Sequence, residues 1–320
     1  MRWQNWLKLI GVVLLLWLMY TVDWVQAIQT LLKLNPAYLA GYVGCFVAMM
    51  LVRSIRLRLA LSRLDHRLTF SNCYVATLEP AFMGMVTPGR LGEFSRVGYI
   101  HAHGVPMQQA ISVVTIERLI DVCVLLIFGA GGMAYIFAPA PYQFSGGLVV
   151  VLGLLLLFFA IRGYGFVLLR LRKYLGWILR WEPSVMTHHR QAFTSSFHVV
   201  IKRAAAPIFL LGLVCIVLNF GQAFLLAKAF SFQADYLVVI FAYAAATLVS
   251  LLPISVGGLG TREATYIMIM AHEGILKEQA LLFSLLDGFI FGILMLLVLL
   301  IPIWIYRFFP RYLKVGKGLK

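Results

Sequence analysis

Two short stretches place charged side chains inside otherwise apolar sequence, beside prolines and glycines that interrupt a helix. The first reads Glu79-Pro80-Ala81-Phe82-Met83-Gly84-Met85-Val86-Thr87-Pro88-Gly89-Arg90-Leu91-Gly92-Glu93, with Arg96 just beyond. Pro88 cannot continue a helix, and Gly89 and Gly92 admit backbone geometries closed to other residues. A break of this kind frees main-chain N–H groups, and the helix that resumes presents its N-terminus there. With Arg90 alongside, the place suits an anion such as a phosphate. The competing reading is an interfacial loop in which Arg90 and Arg96 simply meet lipid phosphates. The second stretch reads Pro253-Ile254-Ser255-Val256-Gly257-Gly258-Leu259-Gly260-Thr261-Arg262-Glu263. Three glycines and a hydroxyl lead into Arg262 and Glu263, with almost no other charge nearby. An ordinary flexible loop is the alternative, and the similarity of the two stretches argues against it.

Glu117, Arg118 and Asp121 lie inside a third apolar run. If its helix starts near Gln108, Glu117 sits about 14 Å along it, close to mid-bilayer. A charge at that depth costs roughly 2.5–3.5 kcal/mol on insertion scales. Glu117 and Asp121 are one turn apart on one face and repel unless a cation lies between them. Arg90 or Arg262 is expected to approach that face. A structural ion-pair network locking a helical hairpin to the span is the competing reading. The candidate substrate-binding set is therefore Arg90, Arg262, Glu79, Glu93, Glu117, Arg118, Asp121, Glu263, Thr87, Ser255, Gly257 and Gly258. Asp287, Asn219, Gln222 and Lys228 are weaker candidates that could serve helix packing alone.

These residues must be positioned by membrane helices. The 320-residue chain is 62% hydrophobic and 12% charged, and its mean hydropathy is +0.91. A soluble domain of this length needs more charge on its surface. Several runs approach or exceed the roughly 20 apolar residues that cross a hydrocarbon core of about 30 Å. Full spans are expected at 9–22, 37–52, 108–138, 147–161, 204–229 and 278–306. Val25-Gln26-Ala27 loosely resembles a signal-peptidase site, but the Trp-rich run before it reads better as the first membrane helix. The net charge is +15. The cations fall in the connections: Arg2 and Lys8 at the start, Arg53 to Arg67, Arg162 to Arg203, and Arg307 to Lys320. They alternate with loops at 23–36, 139–146 and 230–236, where Lys33 is the one basic residue. Positive residues mark cytoplasmic loops, so both termini are expected in the cytoplasm of a multi-pass cell-membrane protein, and nucleic acid is not an expected partner. The basic connection at 162–203 is expected to lie on the cytoplasmic membrane surface.

The segments 71–104 and 236–274 resume after their breaks with pieces too short to cross a bilayer. Broken backbone is tolerated at membrane depth only when buried in protein or lining a wet cavity, which re-entrant helical hairpins provide. At a constant offset of 170, Ala76-Thr77-Leu78 matches Ala246-Thr247-Leu248, Glu93 matches Glu263, Gly104 matches Gly274, and Gln109-Ala110 matches Gln279-Ala280; Glu117 falls opposite Asp287. The charge pattern makes the two copies enter from opposite faces. The expected fold is thus an all-α polytopic membrane protein, one domain over 1–320, with about six full spans. Two re-entrant hairpins form an inverted repeat, with units near 71–138 and 236–306. Secondary transporters build substrate sites from such repeats.

Other chemistry finds no support. There is no P-loop, no HExxH among the histidines (His101, His103, His188, His189) and no assignable nucleophile–His–acid set. No metal or cofactor is expected. Cys45, Cys73, Cys123 and Cys215 read as small buried hydrophobes.

The motifs at 79–96 (EPAFMGMVTPGRLGEFSR), 117–121 (ERLID) and 253–263 (PISVGGLGTRE) resemble the membrane region of lysylphosphatidylglycerol synthases and related flippase-like proteins. The resemblance spans nearly the whole chain. It implies a flippase-like fold and the handling of membrane lipid: an anionic or aminoacylated phospholipid, or another lipid phosphate. Bifunctional members carry a C-terminal aminoacyltransferase domain. This chain ends at Lys320, soon after its last span, so aminoacyl-lipid synthesis is not expected.

The expected function is a lipid transporter in which Arg90 and Arg262 hold a headgroup phosphate and the carboxylates orient those arginines or meet a cationic part of the headgroup. One alternative is a membrane enzyme acting on lipid or polyprenyl phosphates with carboxylates as acid and base. Another is a non-catalytic partner that scaffolds a lipid-modifying complex. Besides lipid, the partners to expect are further copies of the chain, as a homo-oligomer, or a lipid-synthesis protein.

Overall fold

The structure, a computed structural model, describes residues 13–87, 90–137, 145–162, 187–252, 255 and 257–308. All the regular elements among them are helical. Helix α1 covers 13–20. It is followed by α2 (Trp24–Leu32), α3 (Pro36–Ser62), α4 (Phe70–Val86), a 3-10 turn at Leu91–Phe94, α5 (Ser95–Ala102), α6 (Met107–Phe137) and α7 (Ser145–Arg162). Then come α8 (Thr187–Ala229), α9 (Tyr236–Ser250), α10 (Thr261–Met270) with a 3-10 turn at Ala271–Glu273, α11 (Lys277–Leu285), a π turn at Leu286–Ile290, and α12 (Phe291–Phe308).

Polar residues outside the apolar runs set the helix starts. Asp23 accepts from Val25 N at 2.9 Å, Asn35 from Ala37 N at 3.0 Å with Pro36 beside it, and Asp235 from Leu237 N at 2.9 Å. Each satisfies a main-chain donor that the first turn of a helix leaves orphaned. Thr69 caps α4 in the same way.

Three helices among the described residues are long and apolar enough to cross a membrane by length and composition: Pro36–Ser62, Ser195–Ala229 and Lys277–Trp304. The chain is an all-α polytopic membrane protein. Helix α6, expected as a span, is 31 residues long and carries the Glu117–Arg118–Asp121 group; α7, at 18 residues, contains the run expected at 147–161. The run expected at 9–22 is described only from residue 13, and residues 163–186 of the basic connection, together with the C-terminal basic cluster from 309, lie outside the described residues.

Two boundaries differ from the sequence reading. The span expected at 204–229 is helical from Thr187, so residues 187–203 of the basic connection belong to α8. The span expected at 37–52 continues as helix to Ser62, so Arg53 and Arg56 lie within α3 rather than in a loop. The reason is visible in the pattern: Phe46, Met49, Met50, Leu57, Ala60 and Leu61 are all buried on the stripe that the two arginines interrupt.

Both broken segments fold back on themselves. Arg96 in α5 donates through Nε to the main-chain carbonyl of Ala76 in α4 at 3.1 Å, so α5 returns alongside α4. Pro80 explains why that carbonyl is available. It has no N–H to close the helix bond to residue 76, and the arginine takes that place. In the second segment Asp235, just before α9, donates its N–H to Glu273 Oε2 at 3.0 Å, just past α10. At 1.5 Å per residue, α4 and α9 reach about 26 and 22 Å, and α5 and α10 only about 12 and 15 Å.

The offset seen in sequence has structural counterparts. Helices α6 and α11 begin at Met107 and Lys277, after Gly104 and Gly274, which both have positive φ (90° and 69°). Arg96 pairs with Glu117, and the residues 170 further on, Tyr266 and Asp287, also bond to each other, at 3.2 Å.

Helix α8 runs through the middle of the molecule against α3, α6, α7 and α9. The largest apolar core joins α3, α6 and α8 with the first hairpin, a second gathers α8, α9, α10 and α11, and a smaller one lies between α3, α4 and α12.

Candidate functional site

The two breaks touch. Gly257 N donates to Thr87 O at 3.4 Å, and a Cβ on Gly257 would run into the main-chain carbonyl of Met85. Gly257, Gly258 and Gly260 have φ of 60°, 85° and 84°, the left-handed region that only glycine enters without strain. The first break is held by Thr87, whose Oγ1 donates to Met83 O at 2.8 Å and accepts from Gly92 N at 2.7 Å. Arg90 follows with φ 56° and ψ 28°, a left-handed conformation in a residue that has a Cβ. Such strain persists only where the surroundings fix it, and it clusters at functional sites.

The buried charges separate into two groups. In the first, Arg56 of α3 reaches two carboxylates of α6. Its Nη1 and Nη2 donate to Asp121 Oδ1 and Oδ2 at 2.7 and 3.1 Å, and its Nε lies 3.3 Å from Glu117 Oε1. Glu117 also pairs with Arg96, and Glu93 with Arg118. Three cations face three carboxylates, so the network is neutral and ties α3, the first break, α5 and α6 together. Gly212 of α8 lets it fit, since a Cβ there would sit 3.1 Å from Arg56 Nη1. The cation expected between Glu117 and Asp121 is thus Arg56, helped by Arg96, rather than Arg90 or Arg262. Arg262 pairs instead with Asp287, and Arg90 makes no ion pair among the described residues.

The second group surrounds Asp287. Arg262 pairs with its Oδ2, Tyr266 donates to the same oxygen at 3.2 Å, and Tyr42 donates to Asp287 O at 3.1 Å. The π turn at Leu286–Ile290 widens the helix here, and Gly288 gives Arg262 room: any Cβ there would overlap the guanidinium. The same guanidinium lies 5.6 Å from the centre of the Tyr266 ring. Glu263 works within the break. Its Oε2 accepts from Gly260 N at 2.5 Å and its Oε1 from Ser284 Oγ at 3.2 Å, fastening α10 to α11. Ser255 Oγ lies 3.1 Å from Thr261 Oγ1.

Between the two breaks lies a cavity. Its charged and amide lining comprises Arg53 from α3, Arg90 and Glu93 from the first break, Asn219 and Gln222 from α8, Arg262 from α10 and Asp287 from the π turn. Tyr42, Tyr243, Phe46, Met49, Met50, Ala81, Met85, Gly288, Gly292 and Leu296 complete the wall. Two of the five charges, Arg262 and Asp287, neutralise each other, and Glu93 is held by Arg118. The guanidinium groups of Arg53 and Arg90 make no ion pair or hydrogen bond among the described residues. Their Nε atoms, the Nε of Arg262 and Nε2 of Gln222 are buried without a hydrogen-bond partner. Buried donors without partners are rare in folded proteins, and a cluster of them marks a place where a polar guest completes the bonding.

A family model for the lysylphosphatidylglycerol synthase TM region matches residues 5–304. The chain belongs to this family. No curated protein and no solved structure matches it. As a lysylphosphatidylglycerol synthase TM region, the chain is a multi-pass membrane domain of a family associated with lipid-related function. The motifs that carried the resemblance are the two breaks and the Glu117–Asp121 turn.

Of the residues singled out in sequence, Arg90, Arg262 and Glu93 line the cavity, while Thr87, Ser255, Gly257, Gly258 and Glu263 build the breaks around it. Glu117, Arg118 and Asp121 form the neutral network, and Glu79 accepts from Trp304 Nε1 at 3.3 Å away from the lining. Asp287, Asn219 and Gln222, the weaker candidates, do line the cavity; Lys228 instead lies over the Phe224 ring, 5.4 Å from its centre. Arg53, Arg56, Tyr42 and Tyr266 were missed. The helical spacing of Met49, Met50, Arg53, Arg56, Leu57 and Ala60 was the available signal. Among the described residues no cluster could hold a metal ion, and all four cysteines are free, Cys73 and Cys215 buried.

Proposed function

We propose that this chain is a lipid flippase of the cytoplasmic membrane, which passes a phospholipid headgroup through the cavity between its two helix breaks while the acyl chains stay in lipid. The observation that carries this reading is the presence of Arg53, Arg90 and Arg262 around one cavity, with the first two unpaired. Unpaired guanidinium groups are costly in a low-dielectric interior, and a phosphate is a fitting partner because it accepts several charge-assisted bonds. The paired hairpins, related by the 170-residue offset, are read as an inverted repeat with two alternating conformations, and both termini are read as cytoplasmic from the charge pattern.

A transporter is favoured over an enzyme. Acid–base chemistry needs a carboxylate poised to exchange a proton, whereas Glu93 and Asp287 are held by Arg118 and Arg262. Flipping of labelled phospholipid in liposomes tests the reading. Arg90→Ala is expected to cut the rate at least about tenfold, since a bond to a charged group contributes roughly 1.5–3 kcal/mol. Arg262→Ala combined with Asp287→Asn should do the same without leaving a bare carboxylate. Unchanged flipping in both variants rejects it.

A further inference from the structure

We infer that the cavity selects a lipid whose headgroup is a phosphate anion carrying uncharged, hydroxyl-bearing groups, and that it discriminates against an aminoacylated headgroup. The inference deepens the flippase reading and rests on its placing the headgroup in this cavity.

The charge balance of the wall decides the matter. An ammonium group, which any aminoacylated lipid brings, needs a carboxylate with capacity to spare. Glu93 is paired with Arg118 and Asp287 with Arg262, while Asp287 also receives Tyr266 and Tyr42. Glu263, the nearest further carboxylate on the second break, is turned to Gly260 N and Ser284 Oγ. What the cavity leaves open is positive or neutral: the guanidinium groups of Arg53 and Arg90, and the amide of Gln222, 4% exposed and with no partner at Nε2. A phosphate meets the two arginines and lifts their repulsion. A cation beside them adds to it. The Gln222 amide, with Asn219 one turn before it, offers neutral donors and acceptors of the kind that hydroxyl groups use. Two lipids supply this chemistry: a glycerophospholipid with a polyol head, and a polyprenyl phosphate bearing a sugar.

The test uses the full chain in phosphatidylcholine nanodiscs, with displacement of a fluorescent phosphatidylglycerol as the readout. The competitors are phosphatidylglycerol, lysylphosphatidylglycerol, phosphatidic acid and a polyprenyl-phosphate-linked sugar. Phosphatidylglycerol or the polyprenyl lipid is expected to bind roughly 10- to 100-fold more tightly than lysylphosphatidylglycerol. Whichever binds more tightly identifies the source. Arg53→Gln should bring that ratio close to one while thermal stability stays the same or rises, because the arginine gives up no protein partner. Gln222→Leu should weaken the polyol-bearing lipids and spare phosphatidic acid. Lysylphosphatidylglycerol binding as tightly as phosphatidylglycerol overturns the inference, as does an unchanged ratio in Arg53→Gln. Flipping with lysylphosphatidylglycerol preferred leaves the transporter reading standing and removes this one. Selective binding without flipping does the reverse.

Discussion

The amide of Gly257 donates to the carbonyl of Thr87 at 3.4 Å, joining two helix breaks that are 170 residues apart in sequence. Because Gly257 has φ of 60° and no space for a Cβ beside Met85 O, this contact depends on glycine. Gly257→Ala is expected to lower stability by about 1–3 kcal/mol, from left-handed strain and backbone overlap together. Gly98→Ala in α5 is the control, since a Cβ there meets nothing within 4 Å; it should be neutral or stabilising by about 0.5–1 kcal/mol. Thermal unfolding in detergent compares the two.

The Arg262–Asp287 pair should behave as a buried ion pair. Removing either partner alone, as Arg262→Ala or Asp287→Ala, strands a charge and is expected to cost about 3–5 kcal/mol. The double substitution should cost less than the two single effects added together, because neither charge is left alone. A double-mutant cycle on thermal stability reads this directly.

Arg56 of the network and Arg90 of the cavity should respond oppositely. Arg56→Gln removes the cation bridging Glu117 and Asp121, and is expected to destabilise by about 3 kcal/mol or more. Arg56→Lys should recover only part of this, since an ammonium cannot span two carboxylates as a planar fork does. Arg90→Gln takes away no protein partner, so it should leave the unfolding temperature unchanged or higher. Comparable destabilisation by both would mean that the cavity and the network are one structural cluster.

The hairpin topology is open to labelling. In a cysteine-free background, Gln233→Cys and Leu276→Cys flank the second hairpin at exposed positions, and Arg67→Cys and Ala102→Cys flank the first. A membrane-impermeant maleimide should reach both members of a pair from the same side, and the two pairs from opposite sides. Members of one pair labelled from different sides would make that segment a single crossing instead of a hairpin.

Much of this architecture was legible in the sequence because proline and glycine act locally. Gly92 and the glycines at 257, 258 and 260 dictate their own backbone whatever surrounds them, so the places where the helices break could be read directly. Capping by Asp23, Asn35 and Asp235 is equally local. Partner choice is not. Glu117 and Asp121 announced that a cation was needed, but its identity depends on which helix packs against α6, and a chain of pairwise packings decides that. Arg56 was hidden for a further reason. Charge at the end of an apolar run looks like the end of a span, whereas buried carboxylates across the interface allow the helix to carry its arginines inward. Asp287 was underrated because a single acid in an apolar helix carries no sign of the π turn that aims it.

The most direct measurement of the central claim is photo-crosslinking of a phospholipid with a photoreactive headgroup, followed by mapping of the labelled residues during transport. Label should fall on the cavity wall, at Met49, Met85 and Gln222, and should diminish in Arg90→Gln. Label confined to the outer surface of α7, at Leu155, Leu156 and Phe159, and indifferent to that substitution, would contradict the passage of a headgroup between the two breaks.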